Sequence, residues 1–140
     1  MLMALTSDSH GFRFFPTSAI EVLVPAGPGV VVARIPSRIR LKSQLLRALA
    51  RQLRFPEYFG GNYDALEDCL RDFSWLPGIT RVAVVHADLP VSQSRGSRAA
   101  YLSILSDAVA FWESHPELQF EVYFPEHLRG EIARTLADSA

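Results

Sequence analysis

The sequence predicts an α/β domain with a mostly parallel β-sheet packed with helices. Two observations carry this prediction. From residue 30 onward, β-prone runs and amphipathic helical runs alternate in the order β, α, α, β, α, β, a pattern that favours parallel strands joined by helical crossovers. The chain also has 140 residues, 49% of them apolar and 21% charged, which suits one soluble domain over 1–140 with a core large enough to need no staple.

The elements follow in order. "FRFF" (12–15) and "AIEVLV" (19–24) are short β-prone runs separated by "PTS", and they read as a hairpin. "PAGPG" (25–29) breaks the chain. "VVVARI" (30–35) is continuous and β-branched, as a buried strand is. Over 43–54, Leu45, Leu46, Leu49 and Leu53 form one apolar stripe, with Ser43 as the expected N-cap. "FPEYFGGN" is a loop, since Pro56 and two glycines stop the helix. A second helix is expected from Tyr63 to Phe73, capped by Asn62. "RVAVVHA" (81–87) is a second strand, 98–113 a long helix, and "LQFEVYF" (118–124) an alternating third strand. A last helix starts near Glu126, with Leu128, Ile132 and Leu136 on one face.

The net charge of −1 conceals a strong segregation. Residues 38–54 hold six bases (Arg38, Arg40, Lys42, Arg47, Arg51, Arg54) and no acid, whereas 57–72 hold five acids and one base, Arg71. The surface is therefore dipolar. The one cysteine, Cys69, excludes an intramolecular disulfide and suits a cytoplasmic setting. No apolar run is long enough to span a membrane, and no basic-then-apolar leader opens the chain.

On a helical wheel Leu66, Cys69, Leu70 and Phe73 share one side of the second helix, and Asp64, Glu67, Asp68, Arg71 and Asp72 share the other, an arc of roughly 140°. Asp64 and Asp68 repel at i,i+4, with Arg71 between them to relieve it. A merely solvated face is the ordinary reading of such an arc. The loop before it argues for more. Phe55, Tyr58 and Phe59 crowd beside Gly60 and Gly61, and Tyr63 follows; rings on a loop suit partner contact. Catalysis by these neighbouring acids lacks a cleft and unequal environments. His86-x-Asp88 is the only hint of metal-ligand spacing, and a structural histidine explains it better. No metal and no cofactor is expected, and Cys69 reads as a small buried hydrophobe.

"PEYFGGNYDALEDCL" resembles the signature of the barstar family, the intracellular inhibitors of barnase-like ribonucleases. Pro56, Glu57, Tyr58, Phe59, Gly60, Asn62, Asp64, Ala65, Leu66, Asp68, Cys69 and Leu70 match its spacing without a gap. The resemblance implies a three-stranded parallel β-sheet packed with helices over about 30–124. The remainder, 1–28 and 125–140, is then an N-terminal β-prone extension and a C-terminal helix that cover an edge strand, pack locally or make a homodimer. It further implies an inhibitor or immunity protein, not an enzyme, whose acidic helix and aromatic–glycine loop plug the active site of a basic ribonuclease of extracellular or toxin type. The implied contact residues are Tyr58, Phe59, Gly60, Asn62, Asp64, Glu67, Asp68 and Phe73, with Asp68 entering the phosphate site. Three features depart from or extend the pattern: Glu67 stands where the family has a tryptophan, Gly61 where it has an acid, and Phe73 takes the place of a second tryptophan. A further acid is implied on the later helix, with Asp107 and Glu113 as candidates. Pro77 falls where barstar has a cis-proline, which raises the expectation of a cis Leu76–Pro77 bond above that for ordinary X–Pro bonds.

The rival reading is an RNA-binding or RNA-processing module acting through 38–54, although the net charge is not basic. An enzyme using Asp64, Glu67, Asp68 and His86 ranks last. The inhibitor reading expects no direct nucleic-acid or membrane partner.

Overall fold

The structure, a computed structural model, describes residues 6–7, 10–16, 24 and 27–139. Its strands are β1 (Thr6–Ser7), β2 (Arg13–Phe15), β3 (Val30–Ile35), β4 (Arg81–His86) and β5 (Gln119–Pro125). Its helices are α1 (Lys42–Gln52), α2 (Tyr63–Leu70), α3 (Arg95–Glu113) and α4 (Arg129–Ser139), the last entered through a 3-10 turn at Glu126–Leu128. Among the described residues no helix is long and apolar enough to cross a membrane.

The three expected strands pair in parallel, β3 with β4 and β4 with β5. The sheet is larger than the expected three strands. β2 adds a fourth parallel strand beside β5, and β1 pairs antiparallel with β2, giving the order β1-β2-β5-β4-β3. The N-terminal extension thus does one of the things expected of it: it covers the edge that β5 would otherwise leave open. The run at 19–24, expected to pair with 12–15, lies outside the described residues apart from Val24.

One sheet face carries the main core. Ala33, Val82, Val84, Phe120, Val122 and Phe124 pack there against the leucines of the helices. His86 lies in this layer, fully buried. Its Nδ1–H donates to the Tyr123 carbonyl (3.0 Å), its Nε2 accepts from the Tyr101 hydroxyl (2.7 Å), and its ring stacks on Phe124 at 4.0 Å. Burial lowers its pKa to about 4, so the ring is neutral and structural. The other face holds a buried carboxylate, Glu121, which accepts from Arg81 (2.8 Å), Tyr123 (2.9 Å) and Gln119 (2.6 Å) and pairs with Arg13 at 3.5 Å. Arg13 and Arg81 come from β2 and β4, so one acid ties three strands together. Removing either arginine would leave a buried charge undercompensated.

The helix boundaries shift for local reasons. α1 is preceded by Leu41 rather than capped by Ser43; Gln44 reaches back to accept from the Arg40 and Leu41 N–H groups, both at 3.0 Å. The same helix shields the edge of β3, because the Gln52 amide bonds both backbone groups of Arg34 (2.8 and 2.7 Å) as a neighbouring strand would. α3 starts at Arg95, three residues earlier than expected, because Ser94 accepts from the Ser97 N–H. The Leu76–Pro77 bond is trans, contrary to the raised expectation of cis. The 3-10 turn and α4 together lay Leu128, Ile132 and part of Leu136 against the domain, as the apolar stripe requires.

Candidate functional site

The site is built on α2 and the loop before it. α2 begins as expected, with Asn62 Oδ1 accepting from the Ala65 N–H at 2.8 Å. It ends at Leu70 rather than Phe73. Arg71 leaves helical geometry and Phe73 adopts a left-handed φ of 60°. The helix is seated by its ends against α3. At the start, the Tyr63 hydroxyl donates to the Ser97 carbonyl (3.0 Å), and burial pushes its pKa up to about 12. At the finish, the Trp112 indole N–H donates to the Leu70 carbonyl (2.8 Å), one of the carbonyls a helix leaves unsatisfied. Both bonds join like ends, so α2 and α3 run side by side in the same direction.

The loop is held by rings. Phe55 packs on Phe59 (4.8 Å) and edge-on to Trp75 (5.7 Å), and Trp75 meets Phe73 (5.5 Å), which meets Phe120 in the core (6.0 Å). Phe73 is only 1% exposed. The helical wheel placed it inward and the resemblance added it to the contact surface; the structure follows the wheel, so Phe73 anchors the site without reaching its surface. Phe59 is half-buried for the same reason. Tyr58 remains open at 74% exposure. Gly61 has φ 70°, which a glycine adopts without strain. Gly60 does not, and a Cβ there would meet only ordinary contacts at 3.6 Å or more.

The acids divide into two groups. Glu67 is half-buried and paired with Arg71 at 2.7 Å. The expected relief of Asp64 and Asp68 by Arg71 therefore goes to Glu67 instead. Asp64 and Asp68 are exposed, and neither makes an ion pair among the described residues. Asp68 stands in the last turn, where the helix dipole disfavours negative charge. Leu66, Cys69 and Leu70 are buried on the opposite side, and burial pushes the Cys69 thiol pKa up, with Asp72 and Asp68 adding to it. Asp107 and Glu113 are both exposed on α3. His86, with both ring nitrogens engaged inside the core, is removed from this surface.

The anchoring roles of Tyr63, Trp75 and Trp112 were not assigned from the sequence. Indole and phenol groups tend to find a partner when buried, but the carbonyl each would reach depends on how α2 and α3 pack. The family model described as Barstar (barnase inhibitor) matches residues 31–125. No curated protein matches the chain.

Proposed function

The chain belongs to the barstar family, and from that premise we propose that it inhibits a basic ribonuclease by placing the acidic face of α2 and the 55–62 loop into the enzyme's active site. The observation that carries the reading is the unneutralised pair Asp64–Asp68, held exposed although the two repel at i,i+4 and Asp68, unlike Asp64 in the first turn, stands at the end of the helix that disfavours its charge. A cleft that binds RNA phosphates is positively charged, and two carboxylates one helical turn apart present negative charge in series. Long-range attraction speeds the encounter, and desolvated pairs at close range set the lifetime of the complex.

In this reading Asp68 occupies the enzyme's phosphate site and Asp64 flanks it. Tyr58 packs against the partner, and the Gly60–Asn62 backbone allows close approach. Glu67, fixed by Arg71, lies at the margin, and Phe59 and Phe73 support the loop from beneath. The same reading makes the protein an immunity factor that works in the cytoplasm, where a cell must neutralise its own ribonuclease before export.

The test is a binding-kinetic series against the cognate ribonuclease, with inhibition of RNA cleavage followed in parallel. Asp68→Ala leaves a basic group of the enzyme buried and unpaired. It should accelerate dissociation and cost about 2–5 kcal/mol, a range set in part by the barnase–barstar pair itself. Asp72→Lys, at the rim, should mainly slow association, and that effect should fade with salt. Wild-type binding and inhibition by Asp68→Ala would show that the acidic face is not the inhibitory surface.

A further inference from the structure

We infer that the basic segment around α1 is a docking surface for single-stranded RNA, distinct from the acidic face of α2. Arg38, Arg40, Lys42, Arg47, Arg51 and Arg54 are all exposed, no acid lies among them in the sequence, and none makes an ion pair among the described residues. Arg47 and Arg51 stand one helical turn apart on the outward arc of α1, a repulsive pair. Lys42 is partly engaged, its Nζ lying 4.8 Å from the centre of the Tyr63 ring. At physiological salt the Debye length is about 8 Å, so a ligand on this face feels the local charge more than the chain's net charge of −1.

A solvated face would account for the charge but not for the backbone beneath it. Arg38 and Arg54 flank α1, and both are in the left-handed region, with φ 67° and 55°. A residue with a Cβ is strained there and glycine is not. Arg54 is the residue at which the helix closes in a Schellman turn, with the Phe55 N–H donating to the Ala50 carbonyl at 3.0 Å; glycine is the usual residue at that position. At Arg38 the backbone N–H donates to Asp88 Oδ2 (3.2 Å), and the residue is exposed. Phe73 and Val91 are left-handed too, but both are buried and held by packing, whereas Arg38 and Arg54 are exposed, so arginine at these two positions indicates a use for the charge.

The occupant must present negative charges in series. A lipid surface is a poor match: the outward arc of Ser43, Gln44, Arg47 and Arg51 has nothing apolar to insert, and Leu41, 44% exposed, stands alone. Tyr58, four residues beyond Arg54 and 74% exposed, offers a ring on which an unpaired base can stack, which favours a single strand over a duplex; the ribonuclease uses the same ring, so RNA and enzyme compete for Tyr58 but not for the arginines. The choice of RNA over DNA rests on the ribonuclease reading, whose enzyme acts on RNA, and it replaces the expectation from the sequence that an inhibitor has no direct nucleic-acid partner.

The experiment measures fluorescence anisotropy of a labelled oligouridine of about 12 nucleotides with the full chain and no ribonuclease present. Binding should weaken about 50-fold between about 50 and about 200 mM salt, the slope of about four phosphate contacts on a single strand. Arg47→Glu with Arg51→Glu should lose at least about tenfold in affinity and flatten that slope by about two contacts, while ribonuclease binding is kept. Arg38→Gly and Arg54→Gly are the sharper variants, because their melting temperatures should equal or exceed that of the wild type while RNA affinity falls. A purely structural role for these arginines predicts no change in affinity. The proposal is overturned by absence of binding at low salt, or by wild-type affinity in the double variant. Equal binding of the matching DNA strand would overturn the RNA assignment without touching the ribonuclease reading. Salt-sensitive self-association abolished by the double variant would assign the face to a second copy of the chain instead.

Discussion

α1 buries Leu45, Leu46 and Leu49 and turns Arg47 and Arg51 outward; α2 buries Leu66, Cys69 and Leu70 and turns Asp64 and Asp68 outward. The inner faces are alike and the outer faces opposite in sign. Each helix also has an indole on the carbonyl at or next to its C-terminal end, Trp75 on Leu53 and Trp112 on Leu70. The electrostatics at those ends differ. Arg51 lies in the last turn of α1, where the dipole welcomes a cation, so its repulsion with Arg47 is partly offset. Asp68 lies in the last turn of α2, where the dipole opposes it as well as Asp64. Packing tolerates either sign of surface charge, and of the two outward pairs, Arg47–Arg51 and Asp64–Asp68, only the second has a member, Asp68, at the helix end that disfavours its charge.

The buried faces give the largest expected effects. Leu66 and Leu49 are both 0% exposed, so Leu66→Ala and Leu49→Ala should each cost about 2–5 kcal/mol in chemical denaturation. A loss under about 1 kcal/mol for one of them alone would mean that its helix is not seated as the other is.

The next effect comes from the layer beneath both helices. His86 has its pKa lowered by burial from 6.5 to about 4. As pH falls the unfolded chain takes up the proton first, so stability is present above about 6.5 and lost on the way down to about 4. The loss should reach about 2 kcal/mol by pH 5 and about 3 by pH 4. Urea denaturation between pH 7 and pH 5 measures it before most carboxylates titrate. An imidazole resonance of His86 titrating near 6.5 in the folded chain would contradict the burial.

The legibility of the two regions also differed. The acidic face was readable because helical periodicity alone sorts Leu66 and Leu70 from Asp64 and Asp68, and the Asn62 cap is a local feature of the chain. The three parallel strands were readable because β-branched runs alternate with helical ones. The pairing of Arg71 with Glu67 was not, since a wheel gives neighbours and not rotamers. Phe73 drew two readings, because the wheel and the resemblance each fixed a different property of it. The strand at Arg13–Phe15 was visible as β-prone, but its partner, β5, lies more than a hundred residues on, and pairing over that distance has no local signal. The strained backbone at Arg38 and Arg54 had none either, because a left-handed arginine looks in sequence like any other.

The smallest effect is the most direct test of the contrast between the helices. Asp68→Asn removes a charge that both the dipole and Asp64 oppose, so it should stabilise the fold by a few tenths to about 1 kcal/mol at low salt. Arg51→Gln removes a charge that the dipole favours and Arg47 opposes. Its two terms have opposite signs and comparable size, so stability should stay within about 0.3 kcal/mol of wild type. Both variants should converge on wild-type stability at about 1 M salt, where the Debye length is about 3 Å. The measurement is paired urea denaturation at low and high salt. A loss of stability for Asp68→Asn would make that carboxylate a structural member of α2. It would also remove the physical ground for reading the residue as held in place for a partner.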